Sequence, residues 1–194
     1  MYRLKAADKP SKPKRSWRCL TNARRLSKDA RGVTAIEFAF IAPVLFLVVF
    51  AILELGLSFL VEVILDNAVS EAARKIRTGQ VFNAEAAGEY DQSDFRADVL
   101  DLGGGLLKSV EDGVYISVTS VPDFGRIPDP EPLIEDGEVI MDEPWSPGVR
   151  NEVVMVRVIV EWPLITSKMV EVFGQTSNGS RILVATEIFR NEPF

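Results

Sequence analysis

Between Val33 and Leu53 the chain carries twenty-one residues that are apolar apart from Thr34 and Glu37. Within that run, Phe38 to Leu53 is sixteen residues with no charged or hydrogen-bonding side chain. As a helix, twenty-one residues rise about 31 Å, the thickness of a bilayer core. A buried helix of a soluble domain rarely carries so long an apolar stretch, so residues 33–60 are read as a transmembrane helix. Pro43 lies inside the run and predicts a bend, tolerated where neighbours or local adjustment satisfy the freed carbonyl. The pattern then changes without a break. Val61, Ile64, Leu65, Ala68, Ala72 and Ile76 recur at helical spacing, with Glu62, Asp66, Glu71, Arg74, Lys75 and Arg77 supplying a polar side. The cations cluster near the end, where they suit the helix dipole, and Gly79 is the expected terminator. One helix of about fifty residues is therefore predicted, membrane-spanning first and amphipathic over 61–79, with a start near Ser27 or Asp29.

Charge is divided sharply about the apolar run. Residues 1–32 hold 11 Lys/Arg and 2 Asp/Glu, whereas residues 33–194 hold 11 Lys/Arg and 26 Asp/Glu. A basic segment just before an apolar helix is an orientation signal, which places the N-terminus in the cytoplasm and the body outside. The acidic body argues against a nucleic-acid partner, which would need cations to neutralise phosphates. Histidine is absent, and the single cysteine, Cys19, lies in the basic head. His-based triads, Cys–His pairs and the usual zinc sites are thereby unavailable, and the body has no thiol for a disulfide. No catalytic residue, metal site or cofactor is expected, and the chain is not read as an enzyme.

Residues 80–194 read as a small α+β domain. Asp91–Leu102 is predicted as a short helix, with Phe95, Val99 and Leu102 on one side and Gly103 to Gly105 ending it. Val114–Val121 alternates as a half-buried strand. Asn151–Trp162 alternates more sharply, with Val154, Val156, Val158, Val160 and Trp162 on one face, and Arg157 and Glu161 on the other. Ser180–Phe189 is the third strand. Strands joined by turns rather than crossover helices imply an antiparallel sheet, whose apolar side could cover the amphipathic half of the long helix. Pro122–Arg150, with six prolines and eight acidic residues, is expected to be a loop that is either functional or simply mobile.

The residues that ask for a chemical reason are Gly32, Val33 and Glu37. A carboxylate near the end of an apolar helix is costly, up to ~2.5–3.5 kcal/mol at mid-bilayer and less towards the edge. A cut after Gly32 would place a new α-amino group on Val33 and make Glu37 the fifth residue. Glu37 of one subunit could then pair with the Val33 amine of another, each neutralising a charge that lipid disfavours. The bland alternative is a carboxylate that snorkels to water. Glu54 and Glu62 are expected near or beyond the outer membrane face, solvated. Other constellations are weaker. Gly103–Ser109 departs from the phosphate-loop pattern at Leu107, where glycine is required. Asp129, Glu131, Glu135, Asp136 and Glu138 have calcium-type ligands but no EF-hand spacing. Asn178-Gly179-Ser180 matches a glycosylation sequon, a three-residue pattern that arises readily by chance.

Gly32 followed by an apolar helix with glutamate at the fifth place resembles the processing motif of type IV pilins and pseudopilins. More closely, RGVTAIEFAFIAPVLF, NAVSEAARKIRTGQ and the C-terminal ATEIFRNEPF resemble the TadE-like proteins of tight-adherence (Flp) pilus systems. That resemblance implies cleavage at Gly32–Val33 by a prepilin peptidase and removal of leader 1–32. It implies service as a minor pilin or pseudopilin in assembling the fibre, with other pilin and pseudopilin subunits and the inner-membrane assembly platform as partners; the Val33–Glu37 pairing would dock the subunits, and domain 80–194 would lie in the periplasm or be carried out on the pilus. The rival readings are an uncleaved single-pass protein whose outer domain binds a partner, and a membrane-anchored enzyme using a carboxylate pair.

Overall fold

The computed structural model describes residues 32–128 and 132–194, with the side chains of Ser167 and Lys168 left aside. The basic leader, the proposed helix start at Ser27 or Asp29, Cys19, and the acidic pair Asp129 and Glu131 lie outside the described residues. The chain is α+β and divides into two compact units, one ending at Val48 and one spanning Val49–Phe194. The described part of the first unit is the opening of helix α1, Val33–Arg77, whose 45 residues run past the unit boundary without a break and include Pro43. From Ile36 to Phe50 its large apolar side chains are exposed.

The second unit is organised around the remainder of α1. Val61, Leu65, Ala68, Val69, Ala72, Ala73 and Ile76 are buried, the 3–4 spacing that puts one helical face into a core. Ile64 is only partly buried, and Val69 and Ala73 widen the stripe instead. At the end of α1 the amides of Thr78 and Gly79 reach back to the carbonyls of Arg74 and Ile76 at 3.0 Å. Gly79 takes φ 77°, the left-handed conformation that stops a helix, as its position implied. A second helix, α2 (Gln80–Ala86), starts at once, which periodicity over so short a segment does not reveal.

Helix α3 covers Gln92–Lys108. Asp91 caps it, accepting from the amides of Ser93 (2.7 Å) and Asp94 (3.2 Å), while Asp94 accepts from the amide of Asp91. The expectation that the glycines end this helix is corrected: Gly104 kinks it at φ 63°, and a further turn brings Leu107 into the core. Gly103 lies flush against Leu107, where a Cβ would meet the side chain, so the glycines allow close approach rather than stop the chain. Leu102 is 48% exposed, and Leu100 takes the buried place expected of it, whereas Phe95 and Val99 are buried as read.

Strands β1 (Val114–Val121), β4 (Val153–Pro163) and β5 (Ser180–Arg190) form an antiparallel sheet in the order β1-β4-β5, with Val118 opposite Val156 and Val156 opposite Glu187. Val114, Ile116 and Val118 join Val154, Val156, Val158 and Val160 in one core with the α1 stripe, the packing anticipated from the pattern. The opposite face of β4 is covered as well: Val153, Met155 and Ile159 are buried. Much of the acidic loop supports this packing. Its short hairpin β2 (Ile134–Glu135) and β3 (Glu138–Val139) is tied to the β5 side through the Ser177 amide and the Gly137 carbonyl, 2.7 Å apart. Further on, Pro144–Ser146 runs beside β1, exchanging hydrogen bonds of 2.8 and 2.9 Å with Val118. Glu143 takes the Ile116 amide (2.9 Å) and Gln92 takes the Ile116 carbonyl (2.9 Å), so the outer edge of β1 is paired rather than open.

Candidate processing and docking site

Gly32 directly precedes α1, and a Cβ added there would meet no atom within 4 Å. Val33 is the first residue of α1, and Glu37 lies four residues on, just over one turn away and exposed. The three positions named from sequence thus stand together at the start of an exposed apolar helix. Glu37 lies beyond the first turn of α1, which holds no acidic residue, so the helix end does little for its charge. In lipid its carboxylate lacks solvation, and a cationic partner would relieve the cost.

The reading of Glu54 as a solvated carboxylate is overturned. Glu54 is 8% exposed and accepts hydrogen bonds from the backbone amides of Ile165 and Thr166, the latter at 3.2 Å to each carboxylate oxygen. Ser58 is buried one turn later and donates to the Glu54 carbonyl at 3.0 Å. The signal was present as spacing: Glu54, Ser58, Val61 and Leu65 extend the apolar stripe of α1 backwards by steps of four, three and four. Glu62 remains partly exposed, with the Arg181 guanidinium 4.0 Å away. The Arg181 guanidinium also lies over the Phe59 ring at 5.4 Å.

The other feature hidden from sequence is where the chain's last residues go. The ring of Phe194 packs on Gly79, so tightly that a Cβ there would overlap it. Phe82 flanks that ring at 5.4 Å, and Arg150 lies over it at 5.9 Å. The amide of Glu192 donates to the carbonyl of Arg77 at 2.9 Å, supplying one partner that a helix end lacks. Two of the three sequence blocks quoted above, one helical and one C-terminal, therefore meet at the end of α1.

The polar groups of the domain are arranged as structure-holding pairs. Asp98 receives Lys75 at 2.7 Å and the Tyr90 hydroxyl at 2.6 Å, and burial together with Asp98 pushes the Tyr90 phenol well above its ordinary range. Hydrogen bonds from the Ser93 hydroxyl and amide and from the Asp94 amide hold the Asp91 carboxyl below the usual carboxylate range. A cavity of about 200 Å³ lies between the hairpin and the sheet, walled by Leu133, Ile140, Met141 and Met155 with Arg157 and Asp142. Among the described residues no group of three or more acidic, histidine or cysteine side chains is placed to hold a metal ion.

Residues 32–74 match the family described as TadE-like protein. No curated protein and no solved structure matches the chain. The matched stretch opens at Gly32 and closes three residues before the end of α1, leaving the sheet domain and the C-terminal block outside it. From Gly32 to Arg74, then, the chain is similar to the TadE-like proteins.

Proposed function

We propose that this chain is a minor pilin or pseudopilin of a tight-adherence (Flp) type IV pilus system, made as a precursor and cut between Gly32 and Val33 by a prepilin peptidase. In this reading the basic leader stays in the cytoplasm, residues 33–60 cross the bacterial inner membrane, and the acidic α+β domain lies in the periplasm. Its partners are the peptidase, other pilin and pseudopilin subunits, the assembly platform and membrane lipid. The observation that carries the reading is the TadE-like match beginning at Gly32, coincident with a helix that starts at Val33, exposes its apolar side chains and carries Glu37 as its fifth residue.

Docking follows from charge. Cleavage would create an α-amino group on Val33, and Glu37 of an adjoining subunit would neutralise it. In a low-dielectric setting, leaving one partner of such a pair unpaired costs about 3–5 kcal/mol. Glu37→Gln keeps size and hydrogen-bonding capacity and removes the charge. The expected outcome is a normal amount in the membrane and a strong loss of co-purification with other pilus components. Co-purification at the wild-type level, at normal abundance, would show that charge pairing does not dock this subunit.

A further inference from the structure

Beyond β4 the chain forms a short helix, α4, Ser167–Phe173, introduced by Leu164 to Thr166. Its environment is unusual for the outer domain of an anchored protein. Ile165 is 87% exposed, Val172 68% and Phe173 40%, three large apolar side chains within nine residues. The segment is nevertheless held in place. Met169 is buried, Val170 packs against Gly179, and the amides of Ile165 and Thr166 bind the Glu54 carboxylate. Glu54 is the residue that directly follows the sixteen-residue apolar run. Hydrogen bonding therefore fixes this apolar segment beside the place on α1 where the uninterrupted apolar sequence ends.

We propose that Ile165 and α4 form a second, interfacial membrane anchor, with Ile165, Val172 and Phe173 entering the headgroup and upper acyl region of the bilayer. This rests on the reading of residues 33–60 as a membrane span. The occupant is argued from that continuity: a segment joined to the helix at the edge of its apolar run meets lipid first. Exposed apolar side chains at such a boundary gain by leaving water. The same contact accounts for Glu54. A carboxylate at the membrane surface loses part of its hydration, and two backbone amides replace it. The amides lose their own water partners and gain the carboxylate, so each side satisfies the other.

The test uses the full chain with Cys19→Ser, reconstituted in vesicles of phosphatidylethanolamine and phosphatidylglycerol with brominated acyl chains. A fluorophore is attached in turn at Leu53→Cys, Val172→Cys and Asn83→Cys. Leu53 is exposed within the apolar run, and Asn83 is exposed on α2, past the far end of α1. Quenching by lipid bromine should be several-fold stronger at positions 53 and 172 than at 83. Strong quenching at 53 with position 172 no more quenched than 83 would overturn the anchor and leave the membrane span standing; a second protein chain covering α4 gives this result. Absence of quenching at 53 would overturn the span and the anchor together.

Discussion

Gly79 sits where two constraints coincide: a backbone φ of 77° and the face of the Phe194 ring. Either alone would tolerate a compromise. A small side chain in the left-handed region costs about 1–2 kcal/mol, and the ring could tilt away from a lone methyl. Together they predict that Gly79→Ala lowers unfolding free energy by about 2–3 kcal/mol, read as a lower urea midpoint for the detergent-solubilised protein. Phe194→Ala removes the clash and not the strain, so the double variant should lose less than the two single losses added. A wild-type midpoint for Gly79→Ala would refute the packing. Two ionisable residues carry opposite pH signatures. Asp91 has its folded pKa lowered, so its contribution is present above its unfolded value near 4 and is lost as pH falls. Tyr90 has its folded pKa raised, so its contribution is present below its unfolded value near 10 and is lost as pH rises. Asp91→Ala should flatten the acid limb of a stability–pH curve and Tyr90→Phe the alkaline limb, both followed by circular dichroism.

Among the elements, α1 and β4 were legible in the residues because each repeats one period over many positions. The 3–4 spacing from Val61 to Ile76 and the alternation from Val154 to Trp162 are both where the core is. What escaped is set by contacts between distant segments. The second buried face of β4 depends on a proline-rich loop whose own sequence has no period. Leu107 reaches the core past the kink that Gly104 puts in α3, and a glycine run reads equally as a stop or a hinge. Glu54 looked solvated because its partners, the amides of Ile165 and Thr166, have no side-chain signature. Trp145 shows what the loop contributes: its ring lies 5.7 Å from Phe95 and 6.3 Å from Tyr90, and its Nε1 donates to Glu85 at 3.0 Å. Phe95 is fully buried between these elements. Phe95→Ala should therefore cost about 3–5 kcal/mol, seen in denaturant unfolding. A loss under about 1 kcal/mol, the size of a surface substitution, would mean that α3 and the loop do not share a core.

For the molecule as a whole, the same asymmetry that divides the charges divides the functions proposed for it. The proposed site residues Gly32, Val33 and Glu37 are read from order along the chain, a basic segment, a glycine, an apolar run and a carboxylate, and that reading draws little on tertiary contacts. The central claim is that this chain is a processed pilin-like subunit, and its most direct test is the identity of the first residue of the membrane-extracted protein. Terminal sequencing from cells containing the prepilin peptidase should read Val33, with Thr34 and Ala35 following, and replacing Gly32 by a bulky residue should leave the precursor uncut. A protein that keeps Met1 in those cells would contradict the account and point to an uncleaved single-pass membrane protein.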